Sequence, residues 1–101
     1  MEASHQQPDD YDVIYIDELR IYPKQNRKLR GKTCHLMSYN IDKLHEFAVK
    51  LGLYRSWYLV FPMPHYELSA AKHKQALEAG AIQTQQEKMK VIVQIVTGKL
   101  M

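Results

Sequence analysis

A chain of 101 residues has room for one domain and one modest core. Its hydrophobic fraction of 46% and charged fraction of 25% are ordinary for a folded soluble protein. No apolar run nears the ~20 residues that span a bilayer, and the single cysteine, Cys34, excludes an internal disulfide.

The net charge of +3 hides a polarity along the chain. Six of the eleven acids (Glu2, Asp9, Asp10, Asp12, Asp17, Glu18) precede the first basic residue, Arg20, and fourteen Lys and Arg then face five acids. The body is therefore basic enough to favour an anionic partner. Residues 1–10 lack an apolar anchor and read as a mobile acidic tail. With no basic region and apolar stretch at the start, the chain is expected to be cytoplasmic, with no membrane partner.

In chain order, Asp12 to Asp17 holds a continuous apolar run and is predicted to be the first strand. Residues 19–32 are predicted to be a loop, with five basic residues and no acid among the nine from Lys24 to Lys32. A second strand is predicted from about Thr33 to Ser38. Asn40 then caps a helix whose apolar positions Ile41, Leu44, Ala48 and Leu51 keep helical spacing, and Gly52 ends it.

Trp57 to Phe61 is predicted to be the third strand, emptying into a proline-stiffened loop, Pro62 to Leu68, that presents His65 and Tyr66. Ser69 caps a second helix from Ala70 to Ala79, and Ala81 to Gln83 is a marginal fourth strand. Thr84-Gln85-Gln86-Glu87 has capping-box spacing for a final helix to about Thr97. The β-branched residues Val91 to Val93, Ile95 and Val96 argue for a strand there, but Met89, Ile92, Val93, Val96 and Leu100 share one helical face. The expected fold is a small single-domain α/β sandwich of three to four strands and about three helices. Its parts are the tail 1–10, the α/β domain 11–83 and a C-terminal helix 84–101 offering an oligomer interface.

Several segments carry a combined pattern. They are Ile14-Tyr15-Ile16-Asp17-Glu18, Cys34-His35-Leu36-Met37, and Asp42-Lys43-Leu44-His45-Glu46-Phe47-Ala48 with Leu51-Gly52-Leu53. Trp57-Tyr58, Pro64-His65-Tyr66-Glu67-Leu68, Lys72, Ala76-Leu77 and Gly80-Ala81 continue it. In this order they resemble a family of short bacterial and phage proteins catalogued only as a domain of unknown function. The resemblance implies a fold and a set of positions, not an activity.

Strand ends and helix starts in open α/β proteins carry ligand-touching groups. Ser69 opens a helix whose free amides attract an anion, and Lys72 lies one turn in, where an anion would offset its conflict with the helix dipole. The alternative is a plain cap and a solvated lysine. His35, flanked by Cys34 and Leu36 on the opposite strand face, is either a core histidine bonded to a carbonyl or a general base oriented by Asp17. The plainer role for Asp17 is that of a strand-end carboxylate pairing with Arg20 or capping the turn after it. Tyr66, Tyr22 or Trp57 offers a ring face for a base.

His35, His65 and Asp17 supply three metal donors, but HxxxH and CxxC spacings are missing, so no cofactor or metal site is assigned. Cys34 and His35 point to opposite faces and cannot pair, so Cys34 is expected to be a small buried hydrophobe; a nucleophilic Cys34–His65 pair is the alternative, if the third strand adjoins the second. His45 is expected at its helix's boundary and His73 in solvent.

The composite reading is a domain binding a phosphorylated or nucleotide-like small anion through Asp17, His35, His65, Tyr66, Ser69 and Lys72, with Arg27, Lys28 and Arg30 assisting. It would sequester or regulate. A hydrolase using His35, His65 and Asp17 is the alternative, and a nucleic-acid-binding accessory protein is a further one. A homo-oligomer is the expected assembly.

Overall fold

The computed structural model describes residues 9–21, 31–60 and 63–100, so most of the sequence-assigned tail and the basic stretch with Tyr22, Arg27, Lys28 and Arg30 lie outside the described residues. The elements are β1 (Tyr15–Ile16), β2 (Thr33–Met37), α1 (Ile41–Lys50), a 3-10 turn (Arg55–Trp57) and β3 (Tyr58–Leu59). β4 (His65–Ser69), α2 (Ala70–Glu78), β5 (Ile82–Gln83) and α3 (Gln86–Leu100) follow. The strands form one five-stranded mixed sheet in the order β3-β4-β2-β1-β5. β1–β2, β2–β4 and β3–β4 pair antiparallel, and β1–β5 pairs parallel.

The sheet has five strands, not three to four, because one segment expected as a loop is a strand. His65-Tyr66-Glu67-Leu68-Ser69 is a full central strand, paired with β2 from Thr33–Ser69 to Leu36–Tyr66. Its period is two: Tyr66 and Leu68 face one layer, His65 and Glu67 the other. Pro64 stands before the strand, where a missing amide costs no ladder bond. Conversely, the predicted strand 57–61 shrinks to the two residues of β3 on the sheet edge, where Trp57, Leu59 and Val60 are exposed. β1 likewise covers only Tyr15 and Ile16 of the predicted 12–17.

Both helical layers follow from side-chain spacing. Asn40 caps α1 by accepting from the amides of Asp42 and Lys43 at 3.1 and 3.3 Å, and Gly52 leaves the helix at φ 78°, a conformation that strains any other residue. Ser69 caps α2 through the Lys72 amide. Leu44, Phe47 and Ala48 of α1 and Ala76 of α2 cover the face carrying Ile16, Cys34, Leu36, Tyr66 and Leu68. The other face carries Tyr15 and Met37, and α3 covers it with Met89, Ile92 and Val96.

The last segment is thus a helix despite its β-branched residues. Helical spacing drops Met89, Ile92 and Val96 onto the sheet and leaves Val91 and Ile95 outside, whereas strand alternation would split them. Burying these side chains outweighs propensity costs of a few tenths of a kcal/mol each. Among the described residues no helix is long and apolar enough to cross a membrane.

A polar clasp closes the α3 side. Lys88 on α3 reaches Asp10 at 2.8 Å, and the Tyr15 hydroxyl donates to the same carboxylate. The Lys88 ammonium also lies 5.3 and 5.2 Å from the ring centres of Tyr15 and Tyr39. The bonds from Lys88 and then Tyr15 hold the Asp10 carboxyl below its ordinary value. Burial first, then Asp10, pushes the Tyr15 phenol up to about 12. Asp10, assigned by sequence to the tail, is therefore tied to the body.

Two outcomes check this packing. Ile92→Ala should cost about 2–5 kcal/mol in urea unfolding, while Val91→Ala on the same helix should stay within about 0.5 kcal/mol. A group whose folded pKa is depressed stabilises above its unfolded value and loses that contribution as pH falls through the folded one. The stability gap between wild type and Asp10→Asn, read from thermal melts, should accordingly be full at neutral pH and close below about pH 4.

Candidate functional site

The α3-covered face is not apolar throughout. Asp17 follows β1, His35 stands mid-β2, and Glu67 pairs with His35 across β4, so the three form one row across the sheet. His65 lies one step along β4 on the same face, its ring centre 5.2 Å from that of His35 at 63°.

Asp17 is the anchor of the row. Its side chain is 4% exposed, and its two oxygens bond the His35 amide at 2.6 Å and the His35 Nδ1 at 2.8 Å. The Asp17 amide in turn donates to the His35 carbonyl at 3.2 Å. One carboxylate thus extends the β1–β2 ladder past its last regular pair and orients a ring. The His35 side chain, 14% exposed, stays accessible where Asp17 does not.

His65 is held in a parallel way. Its Nδ1 faces the Met63 carbonyl at 2.5 Å, and a carbonyl only accepts, so Nδ1 carries the hydrogen. The same argument, with the Asp17 carboxylate as acceptor, puts the hydrogen of neutral His35 on Nδ1. In both rings the lone pair then belongs to Nε2. Burial is the largest influence on His65 and lowers its pKa, against the raising effect of the Met63 bond, so the neutral ring is favoured.

A cleft of about 200 Å³ opens beside this row, lined by Asp17, His35 and Met63 and by Met89, Lys90 and Val93 of α3. Lys90, exposed at the rim, is the only cation in the lining among the described residues. One donor atom each from His35, His65 and Glu67 lies within 4.8 Å of the others, a set able to hold a metal ion. The sequence expectation names Asp17 as the third donor. Here Asp17 backs His35, and Glu67 takes that place. The signal for it is the two-residue period from His65 to Glu67, which a loop assignment hides.

The remaining predicted residues lie elsewhere. Tyr66 points to the opposite layer, where its hydroxyl meets His45 Nδ1 at 2.8 Å; Arg55 donates to that same nitrogen at 3.1 Å. Ser69 ends β4, about 13 Å along the strand from His65. Lys72 sends its ammonium to the Leu51 carbonyl at 2.5 Å and to Gln75 at 3.1 Å, closing the end of α1 rather than facing an open anion site. Cys34 is fully buried opposite His35, and burial pushes its thiol up to about 12. His73 is partly exposed, its Nε2 3.0 Å from the Gln83 side-chain oxygen.

Fold and row together define a small α/β sandwich protein with a carboxylate-held histidine centre at a cleft. The chain belongs to the family described as protein of unknown function (DUF4031), whose model matches residues 14–96 and so takes in the whole row. Nothing among curated proteins or solved structures matches it.

Asp17→Asn tests the row directly. Asparagine keeps an acceptor for the His35 amide but presents an NH₂ to Nδ1, so the His35 ring should switch its hydrogen to Nε2. Nitrogen-15 shifts of the imidazole should report that switch in a protein that remains folded.

Proposed function

We propose that this chain is a small hydrolase acting on a phosphorylated or nucleotide-like ligand at the cleft beside His35. The observation that carries the reading is the sealed Asp17 carboxylate bonded to His35 Nδ1 at 2.8 Å, with the His35 ring lining an open cleft. A ring so oriented keeps its lone pair in one direction, which activation of a water requires.

Size and charge support the ligand class. At about 200 Å³ the cleft is smaller than the roughly 300–1,000 Å³ of sites that enclose whole organic ligands. It suits a phosphoryl group, with the rest of the ligand outside. Lys90 supplies positive charge at the rim, and the stretch from Lys24 to Lys32, with five basic residues, runs straight into Thr33, two residues before His35. Asp17 and Glu67 make the row itself anion-poor in attraction, so the ligand's charge is met at the rim.

In the reaction the oxygen of a water bonds to phosphorus while the ester P–O bond breaks. The proton released by the water ends on the departing oxygen, and one water is consumed per turnover. His35 and His65 serve the activation of the water, and Asp17 orients His35. The expected homo-oligomer draws support from Val91 and Ile95, which stay exposed on the outer side of α3.

The test is a panel of phosphomonoesters, phosphodiesters and nucleotides incubated with protein that has met no chelator. Turnover should fall about 10²–10⁴-fold in His35→Ala. Tight binding without cleavage would replace the hydrolase by a sequestering protein. Absence of both binding and cleavage would refute the reading.

A further inference from the structure

We propose that His35, His65 and Glu67 hold one divalent transition-metal ion of the zinc class, with a remaining coordination position toward the cleft. The inference deepens the proposed hydrolase and rests on it for the use made of the ion. Its position rests on the side chains alone.

Two imidazoles and one carboxylate are a donor set that suits zinc and related ions, and three protein donors leave room for a water or a substrate oxygen. The donors come from the two central strands, β2 and β4, the most firmly held backbone of the sheet. Their atoms lie within 4.8 Å of one another. Bonds of about 2.0–2.1 Å in a tetrahedron need donors roughly 3.4 Å apart. Small side-chain rotations close that difference without moving the strands.

The surroundings carry the inference further than the three donors do. A ligating histidine almost always gives its other ring N–H to a carboxylate or a backbone carbonyl. His35 gives Nδ1 to Asp17 at 2.8 Å, and His65 gives Nδ1 to the Met63 carbonyl at 2.5 Å. Both rings are thereby set to offer Nε2. The second carboxylate also becomes intelligible. Glu67, half-buried beside an imidazole pair, adds negative charge to a row that already holds Asp17, and a dication would balance both. The same dication would let an electron-rich row receive a phosphoryl oxygen.

As ligands the histidines would hold the ion, and the ion would supply the Lewis acidity that activates the water.

The experiment uses the full chain, stripped with chelator and dialysed, and titrated with zinc alone by calorimetry and with cobalt by absorption. One ion per chain is expected, with cobalt bands of low-coordinate nitrogen–oxygen ligation. Glu67→Gln, nearly the same size, should weaken binding at least tenfold, while His45→Gln on the opposite layer should bind as wild type. The cobalt spectrum of the wild type decides the matter if Glu67→Gln fails to fold. Stripped wild type that takes up neither ion, or Glu67→Gln that binds undiminished, overturns the site. An ion bound without any turnover overturns only the hydrolase. Turnover that survives complete stripping overturns the ion's part in the hydrolase.

Discussion

The structure depends on covering β2 and β4 on both faces at once. These two strands pair over four residue pairs, while the flanking strands are two residues long. A sheet so narrow keeps its central backbone bonds dry only if helices lie on each side. α1 and α2 cover the face of Cys34, Leu36, Tyr66 and Leu68, and α3 covers Tyr15 and Met37. One helix spans less of a sheet than two. On that face Asp17, His35 and Glu67 stand in a row, and the cleft forms between Asp17, His35 and Met63 on one side and Met89, Lys90 and Val93 of α3 on the other.

Asp17 joins that architecture to the chemistry. By taking the His35 amide and ring together, it lengthens the short β1–β2 ladder and turns the imidazole in a single act. A buried carboxylate without partners would be costly; this one has its oxygens occupied from one residue. The stability of the strand end and the orientation of the site therefore rise and fall together.

The two faces of β4 show how one strand separates structural from functional polar groups. Tyr66 turns to α1 and, with His45, Arg55 and Tyr58, makes a knit of rings and hydrogen bonds beside the apolar core. His65 and Glu67, one residue away on either side, turn to the face of the sheet that carries His35. Lys72 is likewise absorbed by structure, closing the carboxyl end of α1 at Leu51. Positive charge on a helix end is a use for lysine as sound as an anion.

What the sequence by itself determined was local. Asn40, Ser69, Gly52 and the apolar spacing of α1 and α3 are signals contained within one or two turns, because capping bonds and helical faces join residues three or four apart. The opposed faces of Cys34 and His35 were legible for a similar reason, since strand alternation needs only neighbours. Residues 64–69 were not legible as β4, because prolines and polar side chains dominate the window and only pairing with Thr33–Leu36 compensates them. The grouping of Asp17, His35, His65 and Glu67 was beyond reach in full. It arises from the register of β1, β2 and β4, and register is set by which faces the helices bury, a property of the assembled sheet.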